Sequence, residues 1–101
     1  MKTLIIVFRD SMLSELEQLL NDNGVNAYTV LSHVMGKGVT GQMHGTFLQP
    51  ETNAIIFSVL SPDLADKAVR VLQTFHAGRL KAKHGQPVPL KVFTFPCEEH
   101  V

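Results

Sequence analysis

Two short runs, residues 4–8 (Leu-Ile-Ile-Val-Phe) and 54–60 (Ala-Ile-Ile-Phe-Ser-Val-Leu), are apolar at nearly every position. A strand with one solvated face alternates apolar with polar, so strands of this kind must be covered on both sides. Each run leads directly into a helix signal. After the first, Asp10 or Ser11 is placed to cap a helix whose Leu13, Leu16, Leu19 and Leu20 share one face, with Glu15, Glu17 and Gln18 on the other, and Asn23-Gly24 closes it. After the second, Ser61-Pro62-Asp63 supplies a cap hydroxyl, a proline at the first helical position and a carboxylate at the positive end of the dipole. Its buried stripe is Leu64, Ala65, Ala68, Val69, Leu72 and Phe75, and Gly78 is expected to stop it near residue 77. Residues 25–34, with Tyr28, Thr29 and Val30, read as a half-buried second strand. Gly36, Gly38, Gly41 and Gly45 then deny a regular interior to the segment reaching about residue 53, which reads as a loop or a flexible hairpin. Residues 76–89 carry Arg79, Lys81 and Lys83 among glycines and prolines and read as a basic loop, before a last strand at 90–95 closed by Pro96.

The order β-α-β-loop-β-α-β predicts an α+β, ferredoxin-like βαββαβ fold: an antiparallel four-stranded sheet with two helices on one face. The 101 residues make a single domain, 1–101. Strands one and three are central in that topology, and the helices cover only one side of them. A partner copy is the expected cover for the second face, since an exposed apolar sheet invites aggregation. Nine Lys and Arg balance nine Asp and Glu, leaving no basic stripe for nucleic acid. The apolar run at residues 4–8 is too short for a signal-peptide core or a membrane span, so no membrane insertion is expected. Cys97, the single cysteine, cannot bridge within the chain and fits a reducing, cytoplasmic location.

Four stretches together resemble the nitrogen regulatory PII proteins: residues 24–30, the glycine segment opening at Gly36-Lys37-Gly38, residues 55–75, and the ending from Lys91 to Glu99. The resemblance runs in order along nearly the whole chain. It implies a homotrimeric, non-enzymatic signalling protein of nitrogen regulation. Ligand clefts would lie between subunits, lined by the glycine segment after strand two (the family's T-loop) and the loop after helix two (its B-loop). Such proteins sense adenine nucleotides and signal to a target protein by reordering the T-loop. The resemblance places Thr29, Gly36, Lys37 and Gly38 where the nucleotide cleft begins, and Lys91 where a lysine reaches phosphate. Arg79 joins this ligand-binding set as a cation of the basic segment. Glycine permits close backbone approach, and an ammonium neutralises phosphate charge. The chain departs from the family in a shorter T-loop without its modifiable tyrosine. It also has a longer B-loop frame interrupted by Pro87 and Pro89, and no arginines after Glu99.

The residues taken singly also have plainer readings. Gly36 and Gly38 suit an ordinary turn, and Lys91 suits a charge that discourages edge pairing. Two other functions stand beside the sensor. His33, Met35, Met43, His44, His76, His84, Cys97 and His100 include soft donors suited to copper or zinc, as in a CutA-like metal-binding protein. His33 and Met35 would share one face of a strand, but Cys97-x-x-His100 is a pair without a second pair. A trimer that binds no small ligand and docks a partner is the other. Catalysis is not expected: the chain has no nucleophile elbow, zinc-binding helix motif or P-loop, and its carboxylates are scattered.

Overall fold

Strands β1 (Lys2–Arg9) and β3 (Asn53–Leu60) pair antiparallel through eight register positions, from Lys2↔Leu60 to Arg9↔Asn53. β4 (Leu90–Pro96) lies on the other side of β1, and β2 (Thr29–Val34) lies outside β3, giving the order β2-β3-β1-β4. The computed structural model describes residues 1–37, 52–82 and 89–101. The expected glycine loop from Gly38 onward, with Met43 and His44, and the part of the basic segment holding Lys83 and His84, lie outside the described residues. Helices α1 (Leu13–Asp22) and α2 (Pro62–Ala82) complete the β-α-β-β-α-β order of the ferredoxin-like fold.

Side-chain alternation sorts the sheet into two faces. Leu4, Ile6 and Phe8 of β1, Ala54, Ile56 and Leu60 of β3, and Leu90 of β4 are buried with Leu16 and Leu20 of α1 and Ala65, Ala68 and Leu72 of α2. On the opposite face, in register, lie Thr29, Phe57, Ile5 and Phe93, and beside them Leu31, Ile55, Val7 and Lys91. Neither helix covers this second face. Leu31, Phe57, Val59, Phe93 and Phe95 are between 39% and 52% exposed there.

The local signals explain most of the element ends. Val25 N–H donates to the Leu20 carbonyl at 2.9 Å across Gly24, whose φ of +88° is the left-handed conformation a helix stop requires. Ser61 Oγ accepts from Leu64 N–H at 3.3 Å, as a cap should. Three expectations are corrected. β2 begins at Thr29 rather than 25, because Val25 is drawn into the core and Ser58 donates from beneath the sheet to the Ala27 carbonyl at 2.7 Å. Neither Asp10 nor Ser11 stands at the N-cap of α1: a 3-10 turn, Asp10–Met12, comes first and Met12 occupies the cap position. α2 continues past Gly78 to Ala82, so Arg79 and Lys81, expected in a basic loop, are helical. Glycine in a helix costs about 1 kcal/mol relative to alanine. Leu80, packed against the core, and Arg79, ion-paired with Glu15 of α1, outweigh that cost. A Cβ at Gly78 would meet nothing within 4 Å. Gly78→Ala should therefore stabilise the protein by about 0.5–1 kcal/mol in denaturant titration.

No helix among the described residues is long and apolar enough to cross a membrane.

Candidate functional site

The residues expected to bind ligand fall at three places. Thr29 and Lys91 are both exposed and, through their register partners, both point from the sheet face opposite the helices. They stand on opposite edge strands, however. Three strand spacings separate β2 from β4, about 14 Å. One protomer therefore cannot close Thr29 and Lys91 on a single small ligand; the edges of neighbouring copies would have to meet.

Gly36 and Lys37 follow the end of β2, the first half-buried and the second exposed in a single β-bridge. This is the end of the sheet at which β1 finishes with Arg9, β3 begins at Asn53 and β4 begins at Leu90. Gly38 lies outside the described residues. Arg79 belongs elsewhere. It sits in the helical layer, paired with Glu15 of α1 and with its guanidinium 5.4 Å from the centre of the Phe75 ring. That engagement gives it a role in joining α1 to the end of α2.

A cluster not foreseen from the sequence stands at the same end of the sheet as Lys37. The Asp10 carboxylate accepts the His33 backbone N–H at 3.1 and 3.2 Å, one bond to each oxygen, and accepts the Thr52 hydroxyl as well. Asp10 N–H donates to the Thr52 carbonyl at 3.0 Å, and His33 Nδ1 lies 3.3 Å from Asp10 Oδ2. The carboxylate thus joins the end of β2 to the residue before β3. Burial alone would raise the Asp10 carboxyl, which is 18% exposed, but the hydrogen bonds from Thr52 and His33 and the His33 charge outweigh it and hold it below its usual value. Its only sequence signal was a polar residue directly after a strand, which suggested a cap. On the helical side, Tyr28 donates to Glu17 at 2.8 Å; burial first and the carboxylate second push its phenol upward.

For metal, the expected shared face of His33 and Met35 is absent. His33 has a positive φ of 58° and β2 ends at Val34, so the alternation is broken between them. Among the described residues no three His, Cys, Asp or Glu side chains cluster as a metal site would require. A groove of about 240 Å³ between α2 and β4, floored by Leu72, Leu90 and Val92, is lined with neither the cations nor the glycines expected to bind ligand.

The family model described as nitrogen regulatory protein P-II matches residues 1–101. The chain belongs to the P-II family. The sequence resemblance that pointed to it is therefore correct over the full length, and the family is a regulatory one. Among solved structures, the P-II-like protein CPII of Thiomonas intermedia K12 bound to ADP, AMP and bicarbonate superposes with a TM-score of 0.68 at 23% identity, covering 93% of this chain and 82% of that one. CPII bound to ADP, AMP and acetate gives 0.65 at 20% identity, with 92% and 81% covered. Its apo form gives 0.64 at 20%, with 93% and 85% covered. At these identities the shared property is the P-II fold. No curated protein sequence matches the chain.

Proposed function

We propose that this P-II family member is a homotrimeric, non-enzymatic cytoplasmic regulator. It senses a small anionic ligand, an adenine nucleotide being the first to test, at clefts between subunits, and signals to a target protein through the β2–β3 connection. The observation that carries this reading is the placement of Thr29 and Lys91 on one apolar sheet face but at opposite edges. Residues so placed serve a common ligand only when that face is the centre of an assembly and the β2 edge of one copy approaches the β4 edge of the next. Lys37, at the end of β2, and Lys91, near the start of β4, then supply the positive charge that phosphate needs, with the Gly36 backbone beside them. The binding of ADP and AMP by CPII, which has the same fold, supports the choice of nucleotide. Ligand preference for one arrangement of the connection would shift the population that a target meets.

The test is a thermal-shift and calorimetric panel with ATP, ADP and AMP on protein whose mass in solution has been measured. A ligand at about one hundred times its dissociation constant stabilises the native state by about 2.7 kcal/mol, which moves the midpoint by several degrees in a domain this size. Lys91→Ala should weaken nucleotide binding by roughly tenfold or more, the worth of one charge-assisted contact. It should leave the unliganded midpoint almost unchanged, because Lys91 is exposed. A trimer that shifts with no nucleotide would overturn the choice of an adenine nucleotide and favour a protein-docking module.

A further inference from the structure

β2 and β3 are paired in two registers. Thr29↔Phe57, Val30↔Ile56 and Leu31↔Ile55 follow one, whereas Val34↔Asn53 follows another. Continued without interruption, the first would place His33 opposite Asn53. One extra residue is instead taken up in β2 between Leu31 and Val34, a β-bulge. It is accommodated at His33, whose φ of 58° makes it the one non-glycine residue with positive φ among the described residues.

No glycine or asparagine lies at the bulge to favour that conformation locally. A histidine tolerates it better than a β-branched residue would, but still prefers negative φ. What holds the bulge comes from the turn that follows β1: the Asp10 carboxylate receives the His33 N–H on both oxygens, faces its imidazole, and is fixed in turn by Thr52.

We propose that the end of β2 is a two-register element and that Asp10 is the positioning residue that selects between the registers. With Asp10 engaged, the bulge stands and Val34 faces Asn53. With the carboxylate withdrawn, His33 returns to negative φ, faces Asn53 itself, and β2 runs on in its first register. Because strand side chains alternate, a one-residue slip turns every following residue to the other face. Val34, the last residue of β2, is the one turned over, and the register thereby sets the point from which the chain leaves the sheet towards Gly36 and Lys37. This deepens the proposed function, on which it rests only for its consequence at the ligand site. The register itself is read in ligand-free protein, so a failure to bind nucleotide and a failure of the two-register element are separate results.

The experiment is NMR of cross-strand contacts to Asn53 in the full chain. Asp10→Ala should lose the Val34–Asn53 contact and gain a His33–Asn53 contact. His33→Val should give the same exchange with Asp10 intact, because a β-branched side chain resists positive φ. Adding His33→Gly to Asp10→Ala should bring the Val34–Asn53 contact back, since glycine holds positive φ unaided. Retention of Val34–Asn53 in both Asp10→Ala and His33→Val would overturn the proposal. So would loss of β2 pairing without the new contact, or no recovery in the double variant.

Discussion

Phe57→Asp is expected to convert the proposed trimer to a monomer that still folds. Phe57 stands near the middle of the uncovered sheet face, between Thr29 on β2 and Ile5 on β1, with Phe93 next along the same row. In the isolated chain its side chain is 40% exposed, so a carboxylate there keeps much of its water and the core beneath, built from Leu4, Ile6, Phe8 and Ile56, is untouched. In an assembly centred on this face, each copy loses the burial of the 40% of Phe57 that is exposed, about 0.6–1.2 kcal/mol, and brings a like charge into the interface, whose desolvation costs several kcal/mol more. Over three copies the lost burial alone is about 2–4 kcal/mol, roughly one to three decades in the association constant, and the desolvated charges add to it. Light scattering or native mass spectrometry should show one chain where the parent shows three, with the far-UV circular dichroism of the parent. A Phe57→Asp protein that remains trimeric would place the interface on another surface, and Thr29 and Lys91 would then lose their reason to converge. The same substitution should abolish nucleotide binding even though no atom of Phe57 need touch the ligand.

The alternation rules carried the fold a long way because they concern the backbone and the apolar side chains, which dominate packing. Leu4–Phe8 and Ala54–Leu60 were apolar on both faces, and the structure indeed places them at the centre of a sheet covered on one side only. The errors share one cause, long-range contacts that outweigh a local preference. Gly78 has a helix stop's usual identity, yet Arg79 reaches Glu15 and Leu80 reaches the core, and the helix runs on to Ala82. Asp10 has an N-cap's identity and position, yet its partners are 23 and 42 residues away. Spacing along a chain cannot report such partners. The candidate site was legible in part: the edge positions of Thr29 and Lys91 follow from strand order, but the bulge at His33 has no turn residue to announce it. Once Asp10 is known to hold His33, the histidine's tolerance of positive φ becomes intelligible; before that, it was one polar residue in a strand.

Asp10 should also give the protein a measurable sensitivity to acid. Its carboxyl lies below the ordinary value in the folded chain, because hydrogen bonds and the His33 charge favour the ionised form more than burial opposes it. A depressed folded value means that the stabilisation is fully present above the unfolded value, about 3.9, and is lost as pH falls through the lower folded value. At neutral pH, Asp10→Ala removes the acceptor for the His33 N–H and the Thr52 hydroxyl. Hydrogen bonds to a charged group contribute about 1.5–3 kcal/mol each, so a total cost of about 3 kcal/mol is expected after relaxation of the partly exposed site. Asp10→Asn keeps one acceptor oxygen and should cost about half as much. The gap between the parent and Asp10→Asn should close as the parent carboxyl is protonated, beginning near pH 4 and closing below it. Urea titrations from about pH 6 to pH 3 at one protein concentration, in the Phe57→Asp background to remove the contribution of assembly, would follow it. A gap that stays constant over that range would mean that the ionised carboxylate contributes nothing beyond its shape. A gap that closes on schedule would tie the end of β2 to the charge on a single side chain, the same group that selects its register.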